Sequence, residues 1–374
     1  MLITIFYQFF LLGWTSFGGP AAHLGYFQRH FVSHLGWLSA ERYAHLISLS
    51  QILPGPGSSQ VGFAIGMEKA GWLGGLAAFI GFTLPSFLIM VLLAFATNTL
   101  GQQTMGIVAG LKLFAVVIVA DAIISMARSF CKTLTARLIA AFAAIAFMLL
   151  PSFAGQLLIL IAVTTFGAVV PQTSLPNDSQ KAPLSTLPWQ PLALFIGLFV
   201  LSLTLWQDSL FGQIYQAGAL VFGGGHVVLP LLQASVPTLP DSEFLTAYAA
   251  AQAVPGPMFT IASYLGALAE GTPSLGGAFL ATIAIFLPGL LLMGSFIGHW
   301  QALLTRPRFA SISVCLNAAV VGLLTAAWLD PIIPAAISSY WHWLVVLLGY
   351  MVLVRFKPPI WTLLLAFAIV GLMS

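Results

Sequence analysis

Apolar stretches follow one another along almost the whole chain, with only short polar gaps between them. A helix that crosses a bilayer needs about 20 apolar residues, and most of these stretches have that length. The pattern therefore predicts an all-α polytopic membrane protein with about 13 transmembrane helices. The predicted spans cover residues 3–24, 45–67, 72–97, 105–127, 136–151, 154–171, 189–206, 211–233, 244–268, 274–298, 310–329, 336–354 and 358–373.

The same glycine and proline punctuation interrupts this pattern in both halves of the chain. Phe17-Gly18-Gly19-Pro20 precedes Gln51-Ile52-Leu53-Pro54-Gly55-Pro56, and Phe222-Gly223-Gly224-Gly225 precedes Gln252-Ala253-Val254-Pro255-Gly256-Pro257. Two further pairs match, namely Gly74-Gly75 with Gly276-Gly277 and Leu84-Pro85 with Leu287-Pro288. The four offsets are 205, 201, 202 and 203 residues, which indicates an internal duplication.

The duplication predicts three parts. Residues 1–171 form a first repeat of six spans, residues 172–206 a polar linker plus a connecting helix, and residues 207–374 a second repeat of six spans. The punctuated helix is span one in the first repeat and span eight in the second, so the displacement is seven spans. An odd displacement turns the second repeat upside down, and the sequence predicts two inverted-topology repeats with broken helices.

The distribution of basic residues tests this topology, because cytoplasmic loops carry an excess of Lys and Arg. A cytoplasmic N-terminus and a periplasmic C-terminus place nine basic residues inside and only Arg29 and Arg42 outside. The nine are Lys69, Arg128, Lys132, Arg137, Lys181, Arg306, Arg308, Arg355 and Lys357. If the two Pro-Gly-Pro segments are instead re-entrant hairpins, the split becomes seven to four and the repeats become parallel.

Composition narrows the class of protein further. The chain has 374 residues, of which 60% are hydrophobic and 6% charged, against roughly a quarter charged in soluble domains. The net charge of +3 comes from basic residues spread over short loops, so it serves as an orientation signal and does not indicate nucleic acid. No nucleotide, zinc-protease or triad motif is present, and Cys131 and Cys315 have no metal-ligand spacing. We expect no enzyme, no cofactor and no metal site.

Two ionisable residues fall inside predicted hydrocarbon, where they are functional candidates by default. Lys112 and Asp121 both lie on the fourth span, about 13 Å apart along the helix axis and on opposite faces, so they cannot pair with each other. Lys112 is a candidate for a fixed positive charge beside an anion pathway, and the alternative is that it snorkels to the interface. Asp121 is a candidate coupling residue, and the alternative is a pair with Arg128.

The Pro-Gly-Pro breaks predict new helix starts inside the membrane, because proline removes a hydrogen-bond donor and glycine frees the backbone. Free N–H groups at a helix start favour anions. The first start, near Gly57, continues as Ser58-Ser59-Gln60, whereas the second reads Met258-Phe259-Thr260. We therefore expect an asymmetric site in which the first repeat supplies more substrate contacts. The alternative is two structural kinks.

The glycine turns complete the candidate site. Gly18, Gly19, Gly224 and Gly225 permit close approach of a backbone to a neighbouring helix or a ligand. His226 follows the second turn, and Gln51 and Gln252 each precede a proline by three residues. These three side chains face the cavity in one interpretation and make internal hydrogen bonds in the other. The predicted substrate-binding set is Gly18, Gly19, Gln51, Pro54, Gly55, Pro56, Ser58, Ser59, Gln60, Lys112, Gly224, Gly225, His226, Gln252, Pro255, Gly256, Pro257 and Thr260.

These motifs resemble the chromate ion transporter (CHR) family in its full-length, two-domain form. The resemblance rests on Phe17 to His23, Gln51 to Phe63, Gly81 to Ser86, Phe222 to Pro230 and Ala251 to Pro257. It implies a transporter that exports chromate across the inner membrane, with sulfate as a similar oxyanion, and it carries over the glycine turns, the breaks and Gly110-Leu111-Lys112. Asp121 matches no family motif.

The leading hypothesis is a secondary transporter that expels chromate by alternating access. A negative-inside potential favours outward movement of a dianion by about 2.3 kcal/mol per charge per 100 mV. The alternatives are a sulfate or other oxyanion transporter, a passive anion channel, and a membrane scaffold without transport. The expected partners are the oxyanion and the lipid bilayer, and a homodimer is one alternative for the oligomeric state.

Overall fold

A computed structural model describes residues 1–100, 105–169, 188–269, 271–299 and 307–373, and these residues form helices and no strand. Most of the predicted linker, including Lys181, lies outside the described residues, as does Arg306. In chain order the α-helices of eight or more residues are α1 (Leu2–Thr15), α2 (Gly19–Phe27), α3 (Ala40–Ile52), α4 (Gly57–Leu100), α5 (Met105–Phe130), α6 (Leu134–Leu149), α7 (Phe153–Val169), α8 (Trp189–Leu203), α9 (Leu210–Ala219), α10 (Val228–Ser235), α11 (Asp241–Ala253), α12 (Ile261–Leu268), α13 (Leu275–Phe296), α14 (Pro307–Ala327), α15 (Tyr340–Phe356) and α16 (Ile360–Leu372).

Four stretches of the described chain are long and apolar enough to cross a membrane: Gly57–Thr97, Gly106–Phe130, Leu275–Phe296 and Ala310–Ala336. Several shorter apolar helices accompany them, which is the pattern of a multi-pass membrane protein. The predicted spans without glycine or proline punctuation each correspond to one helix, whereas each of the four punctuated spans is divided. The division matters because the chain changes direction there.

The first divided span is a helical hairpin. The α1 helix ends before Ser16, the glycine turn follows, and α2 runs back along α1. The His30 ring contacts the amide oxygen of Gln8 at 2.7 Å, and the rings of Phe9 and Phe31 stack with 4.5 Å between their centroids. Pairs of residues on either side of the turn can meet in this way only if the chain reverses. Residues 3–24 therefore do not form one straight span.

The second divided span also reverses direction. Arg42 at the start of α3 forms an ion pair with Glu68, and these residues lie 13 positions on either side of Gly55. In a continuous helix the two would be about 39 Å apart at 1.5 Å per residue. The prediction that this segment crosses the membrane is therefore wrong. Because Glu68 precedes Lys69 directly, Arg42 lies at the same end of the molecule as Lys69, and the predicted placement on opposite sides is wrong as well.

The long α4 helix contains a further turn. Ala70 and Gly71 leave helical geometry, with φ of +60° at Gly71, and the chain folds back so that Gly66 and Gly74 pack backbone against backbone. A Cβ on either glycine would overlap the backbone of the other helical limb. The second limb of α4, which begins at Trp72, then packs against α1 and α2, with the Phe82 ring edge-on to the ring of His23.

The second half repeats this arrangement. The α9 and α10 helices pack on each other across the second glycine turn. Glu243 near the start of α11 accepts a hydrogen bond from the Tyr264 hydroxyl in α12 at 3.3 Å, so the chain also reverses at the second Pro-Gly-Pro segment. Gly266 and Gly277 approach as closely as Gly66 and Gly74 do, and α13 takes the place of the second limb of α4.

The two halves contact each other at both ends. Arg42 donates to the carbonyl oxygen of Ile297, just beyond the end of α13, at 3.3 Å. Thr97, near the end of α4, shares a 2.9 Å hydrogen bond with Tyr264 of α12. Each contact joins the open end of a hairpin in one half to the far end of the long helix in the other half. The remaining helices flank this unit, with α14 packed on α6 and α7, and α16 packed on α5.

Candidate functional site

Four chain turns meet in the interior of the protein: the two glycine turns and the two Pro-Gly-Pro turns. The backbone N–H of Gly55 donates to the carbonyl oxygen of Val221 at 2.7 Å, and the N–H of Gly256 donates to that of Ser16 at 2.9 Å. Val221 and Ser16 precede their glycine turns by the same number of residues. Each Pro-Gly-Pro turn is therefore bound to the glycine turn of the other half, in a reciprocal pair.

Glycine is required at both Pro-Gly-Pro turns. Gly55 has φ of +124° and Gly256 has φ of +96°, which side-chain-bearing residues rarely adopt. A Cβ on Gly55 would also lie 2.7 Å from the Cα of Gly289, and a Cβ on Gly256 would lie 2.9 Å from the hydroxyl oxygen of Ser86. Gly289 and Ser86 occupy equivalent positions on α13 and α4. Both turns thus place a glycine with positive φ against an equivalent position on the long helix of the other half.

The first half places polar side chains around its helix start. The α4 helix begins at Gly57, as predicted. Ser58 lies 3.3 Å from Nδ1 of His23, whose Nε2 is 3.2 Å from the carbonyl oxygen of Ser16. In the neutral ring Nε2 donates to that carbonyl and Nδ1 accepts from the Ser58 hydroxyl. Gln60 uses its amide nitrogen on two carbonyl oxygens, at 2.9 and 3.0 Å, and ties α4 to α13.

Several polar atoms in this part of the first half have no partner. The hydroxyl oxygens of Ser16, Ser59 and Thr83 and the amide oxygen of Gln60 are buried without a hydrogen bond. Buried polar groups are nearly always hydrogen-bonded in folded proteins, so such atoms mark strain or a missing ligand. Ser16 precedes the first glycine turn, Ser59 and Gln60 lie in the first turn of α4, and Thr83 lies on its second limb.

In the second half the corresponding polar groups satisfy one another. Nδ1 of His226 lies 2.7 Å from the Tyr248 hydroxyl oxygen and 3.2 Å from the Gln252 amide nitrogen, within hydrogen-bond distance of both. Thr260 donates to the carbonyl oxygen of Pro257 at 2.9 Å, and Ser263 pairs with Thr282 at 2.8 Å. Unpartnered hydroxyls thus lie near the first turn and a hydrogen-bonded network lies near the second, while the larger share of substrate contacts from the first repeat stays a prediction.

Not every predicted residue lies at this meeting point. Gln51 is exposed, whereas its equivalent Gln252 is buried within the network. Gly18 belongs to the first glycine turn but is exposed, while Pro56 and Gly225 are buried. Lys112 lies elsewhere, in a separate cavity. The described residues contain no group of three or more His, Cys, Asp or Glu side chains that could hold a metal ion.

The cavity that contains Lys112 has a volume of about 910 Å³. It opens beside the contact between Thr97 and Tyr264, and Glu243 also lines it. Lys112 is half-buried there, so one fixed positive and one negative side chain face the same space. Asp121 is half-buried on the same α5 helix, and the only ion pair within the described ranges is that of Arg42 with Glu68, so the alternative pairing of Asp121 with Arg128 is not observed.

Sequence reasoning missed some of these residues. Tyr248 precedes Gln252 by four positions, so helical spacing alone places both on one face of α11. Ser86 and Gly289 each directly follow the Leu-Pro pairs that mark the duplication. Glu243 lies at the edge of an apolar run, where hydropathy gives no signal. Helical spacing could have identified Tyr248, and equivalence between the halves could have identified Ser86 and Gly289.

Comparison with known proteins gives the family. A family model described as Chromate transporter matches residues 3–169 and 209–372. A chromate transport protein of Pseudomonas aeruginosa is 27% identical over 87% of this chain and 80% of its own length. A probable chromate transport protein of Synechococcus elongatus is 30% identical over 86% of this chain and 82% of its own length. A chromate transport protein of Cupriavidus metallidurans is 26% identical over 85% of this chain and 80% of its own length. No solved structure matches the chain. Because the family model covers both halves, this multi-pass membrane protein belongs to the chromate transporter family.

Proposed function

We propose that this protein is a secondary transporter that exports chromate, a sulfate-like dianion, across the bacterial inner membrane. The observation that carries the proposal is the meeting of four turns, where three buried hydroxyls of the first half have no partner. A tetrahedral dianion needs several N–H and O–H donors and little excess positive charge, because it must also be released. The helix start at Gly57, with Ser58 and Ser59 in its first turn, is suited to this task.

The repeats, residues 1–171 and 207–374, are inverted in this proposal. The support comes from the contacts at the two ends, in which Arg42 meets Ile297 and Thr97 meets Tyr264. The hairpin of α1 and α2 returns to the side of the membrane on which it started, and so does the hairpin of α3 and the first limb of α4. Neither hairpin therefore adds to the number of membrane crossings. Five crossings then separate the equivalent hairpins: the second limb of α4, α5, α6, α7 and α8. Five is odd, so re-entrant hairpins and inverted repeats are compatible.

This topology strengthens the charge argument for a cytoplasmic N-terminus and a periplasmic C-terminus. Counting crossings in this way brings nine described basic residues to one end: Arg29, Arg42, Lys69, Arg128, Lys132, Arg137, Arg308, Arg355 and Lys357. The same count brings Asp208, Asp241, Glu243 and Asp330 to the other end. An end that carries almost all of the Lys and Arg is expected to face the cytoplasm.

The conformation fits one state of an alternating-access cycle. At the proposed cytoplasmic end Arg42 links Glu68 to the end of α13, which closes the gap between the halves. At the other end the cavity of about 910 Å³ is open between the halves. Lys112 in this cavity attracts the anion, and Glu243 limits how tightly it is held. A potential of 100 mV contributes about 4.6 kcal/mol to the outward movement of a dianion, at about 2.3 kcal/mol per charge.

Uptake of labelled chromate by inside-out vesicles tests the proposal. Lys112→Gln should lower saturable uptake about tenfold or more, because a hydrogen bond to a charged group contributes about 1.5–3 kcal/mol. Lys132→Gln, which removes an exposed lysine at the other end, is the matched control and should transport normally. Normal uptake by Lys112→Gln at equal protein level would contradict the assigned pathway.

Two further measurements on the same vesicles distinguish a chromate exporter from a sulfate transporter and from a channel. Unlabelled sulfate that competes more strongly than chromate would make sulfate the preferred substrate. Counterflow and saturation at low concentration are expected of a carrier, and a linear flux without counterflow would indicate a channel.

A further inference from the structure

A second cavity, remote from the four turns, has a lining of oxygen ligands. Its volume is about 210 Å³, and its polar lining consists of Gln156 near the start of α7, Gln233 on α10, Asp241 at the start of α11, and Asp330 after α14. No basic side chain is among the lining residues. The site is therefore chemically different from the cavity of Lys112.

The two glutamine side chains point to a missing ligand. Gln156 is 4% exposed, and its amide nitrogen donates to the carbonyl oxygen of Pro151 at 3.4 Å. The amide nitrogen of Gln233 donates to a carboxylate oxygen of Asp241 at 3.0 Å. These bonds orient both amides, and both amide oxygens are buried without any partner. An unpaired buried carbonyl oxygen is costly and needs a donor or a cation.

The two carboxylates supply negative charge to the same space. Within the described ranges neither Asp241 nor Asp330 forms an ion pair, since the one ion pair there joins Arg42 to Glu68. Carboxylate and amide oxygens are the ligands of hard cations such as calcium, which takes six to eight oxygens and accepts water for the remainder. Zinc and copper prefer histidine or cysteine ligands, and the cavity has none.

We propose that Gln156, Gln233, Asp241 and Asp330 form a binding site for a hard cation. The two carboxylates match the charge of calcium, and sodium is the monovalent ion with the same ligand chemistry. The site joins three separate parts of the chain: the turn between α6 and α7, the connection between α10 and α11, and the segment after α14. A bound cation would hold the open end of the second Pro-Gly-Pro hairpin against the flanking helices. The expectation of no metal site, drawn from histidine, cysteine and motif spacing, did not consider amide oxygens.

Cation binding to the purified full-length protein in detergent tests the site without any transport measurement. The wild type is titrated with calcium, magnesium, sodium or potassium chloride against choline chloride at equal ionic strength, and thermal unfolding and direct calcium binding are recorded. We expect calcium or sodium to raise the unfolding temperature. Asp330→Asn and Gln156→Leu should each weaken this effect at least about tenfold in concentration, since even supporting groups of metal sites contribute 10–100-fold.

Asp208→Asn is the matched control, because it removes an exposed carboxylate that does not line the cavity, and it should respond as the wild type does. The proposal is overturned if no cation raises the unfolding temperature above choline and calcium titration of the wild type shows no binding. It is equally overturned if Asp330→Asn and Gln156→Leu both respond as strongly as the control. A failure of chromate transport would leave these results unaffected.

Discussion

Replacement of Gly55 by alanine tests whether the reciprocal contact of the turns is essential. The φ of +124° is unfavourable for alanine and costs about 1–3 kcal/mol. The new Cβ would also lie 2.7 Å from the Cα of Gly289, a backbone atom that cannot rotate away, and such overpacking costs about 1–3 kcal/mol. The sum, about 2–6 kcal/mol, is comparable to much of the stability of a folded protein. We expect Gly55→Ala to separate the first Pro-Gly-Pro turn from α13 and to abolish chromate transport.

A second glycine variant separates the effect of backbone strain from the effect of close contact. Gly36 also has a positive φ, +58°, but a Cβ there would meet no atom within 4 Å. Gly36→Ala should therefore lose only about 1–2 kcal/mol, the cost of left-handed geometry for an alanine, and should still transport. Vesicle uptake and thermal unfolding of both variants, at matched protein level, give the comparison. If both variants shift the unfolding temperature equally and transport equally, close contact at Gly55 has no special role.

Three further outcomes follow from the hydrogen bonds. Ser59→Ala should raise the unfolding temperature and weaken chromate affinity, because its buried hydroxyl has no partner, whereas Ser263→Ala should cost about 0.5–1.5 kcal/mol of stability with affinity unchanged. Arg42→Glu or Glu68→Arg alone should reduce transport by leaving like charges at the proposed cytoplasmic closure, and the double exchange should restore it only in part, since a carboxylate at position 42 cannot donate to the carbonyl oxygen of Ile297. Tyr248→Phe should lower the free energy of unfolding by about 0.5–1.5 kcal/mol, as read from thermal unfolding, since the hydrogen bond between its hydroxyl and the His226 ring is lost.

The sequence predicted well those features that depend on local chemistry. Apolar runs predicted the helices because a bilayer requires internally satisfied backbone, and the proline before Gly57 predicted a helix start there. The family followed from the motifs and is confirmed by the match over both halves. The first helix start has the more polar sequence, and there the buried Ser59 hydroxyl has no hydrogen bond, whereas Thr260 at the second start donates to a carbonyl oxygen.

Chain reversal could not be predicted in the same way. A broken apolar run that crosses the membrane and one that turns back have the same hydropathy and the same glycine and proline residues. The distinction depends on distant contacts, such as Arg42 with Glu68, 26 positions away, and Gly55 with Val221. The inference of parallel repeats from re-entrant Pro-Gly-Pro segments considered only that pair, whereas the glycine turns reverse as well. Lys112 and Gln51 did not join the central turns because helical phase and tilt, which composition does not encode, decide where a side chain points.

The bond from Gly55 to Val221 also bears on biosynthesis. When the first repeat leaves the ribosome, the acceptor for the Gly55 amide has not yet been made, and an unsatisfied N–H in hydrocarbon costs several kcal/mol. The Gly55 turn must therefore wait in an unfinished state, held by the insertion machinery or by water, until Val221 arrives, 166 positions after Gly55 and 50 after the end of the first repeat. A chain that carried one repeat alone would need a second copy to supply the missing carbonyl. Gene duplication thus converts an obligatory meeting between molecules into one within a single chain.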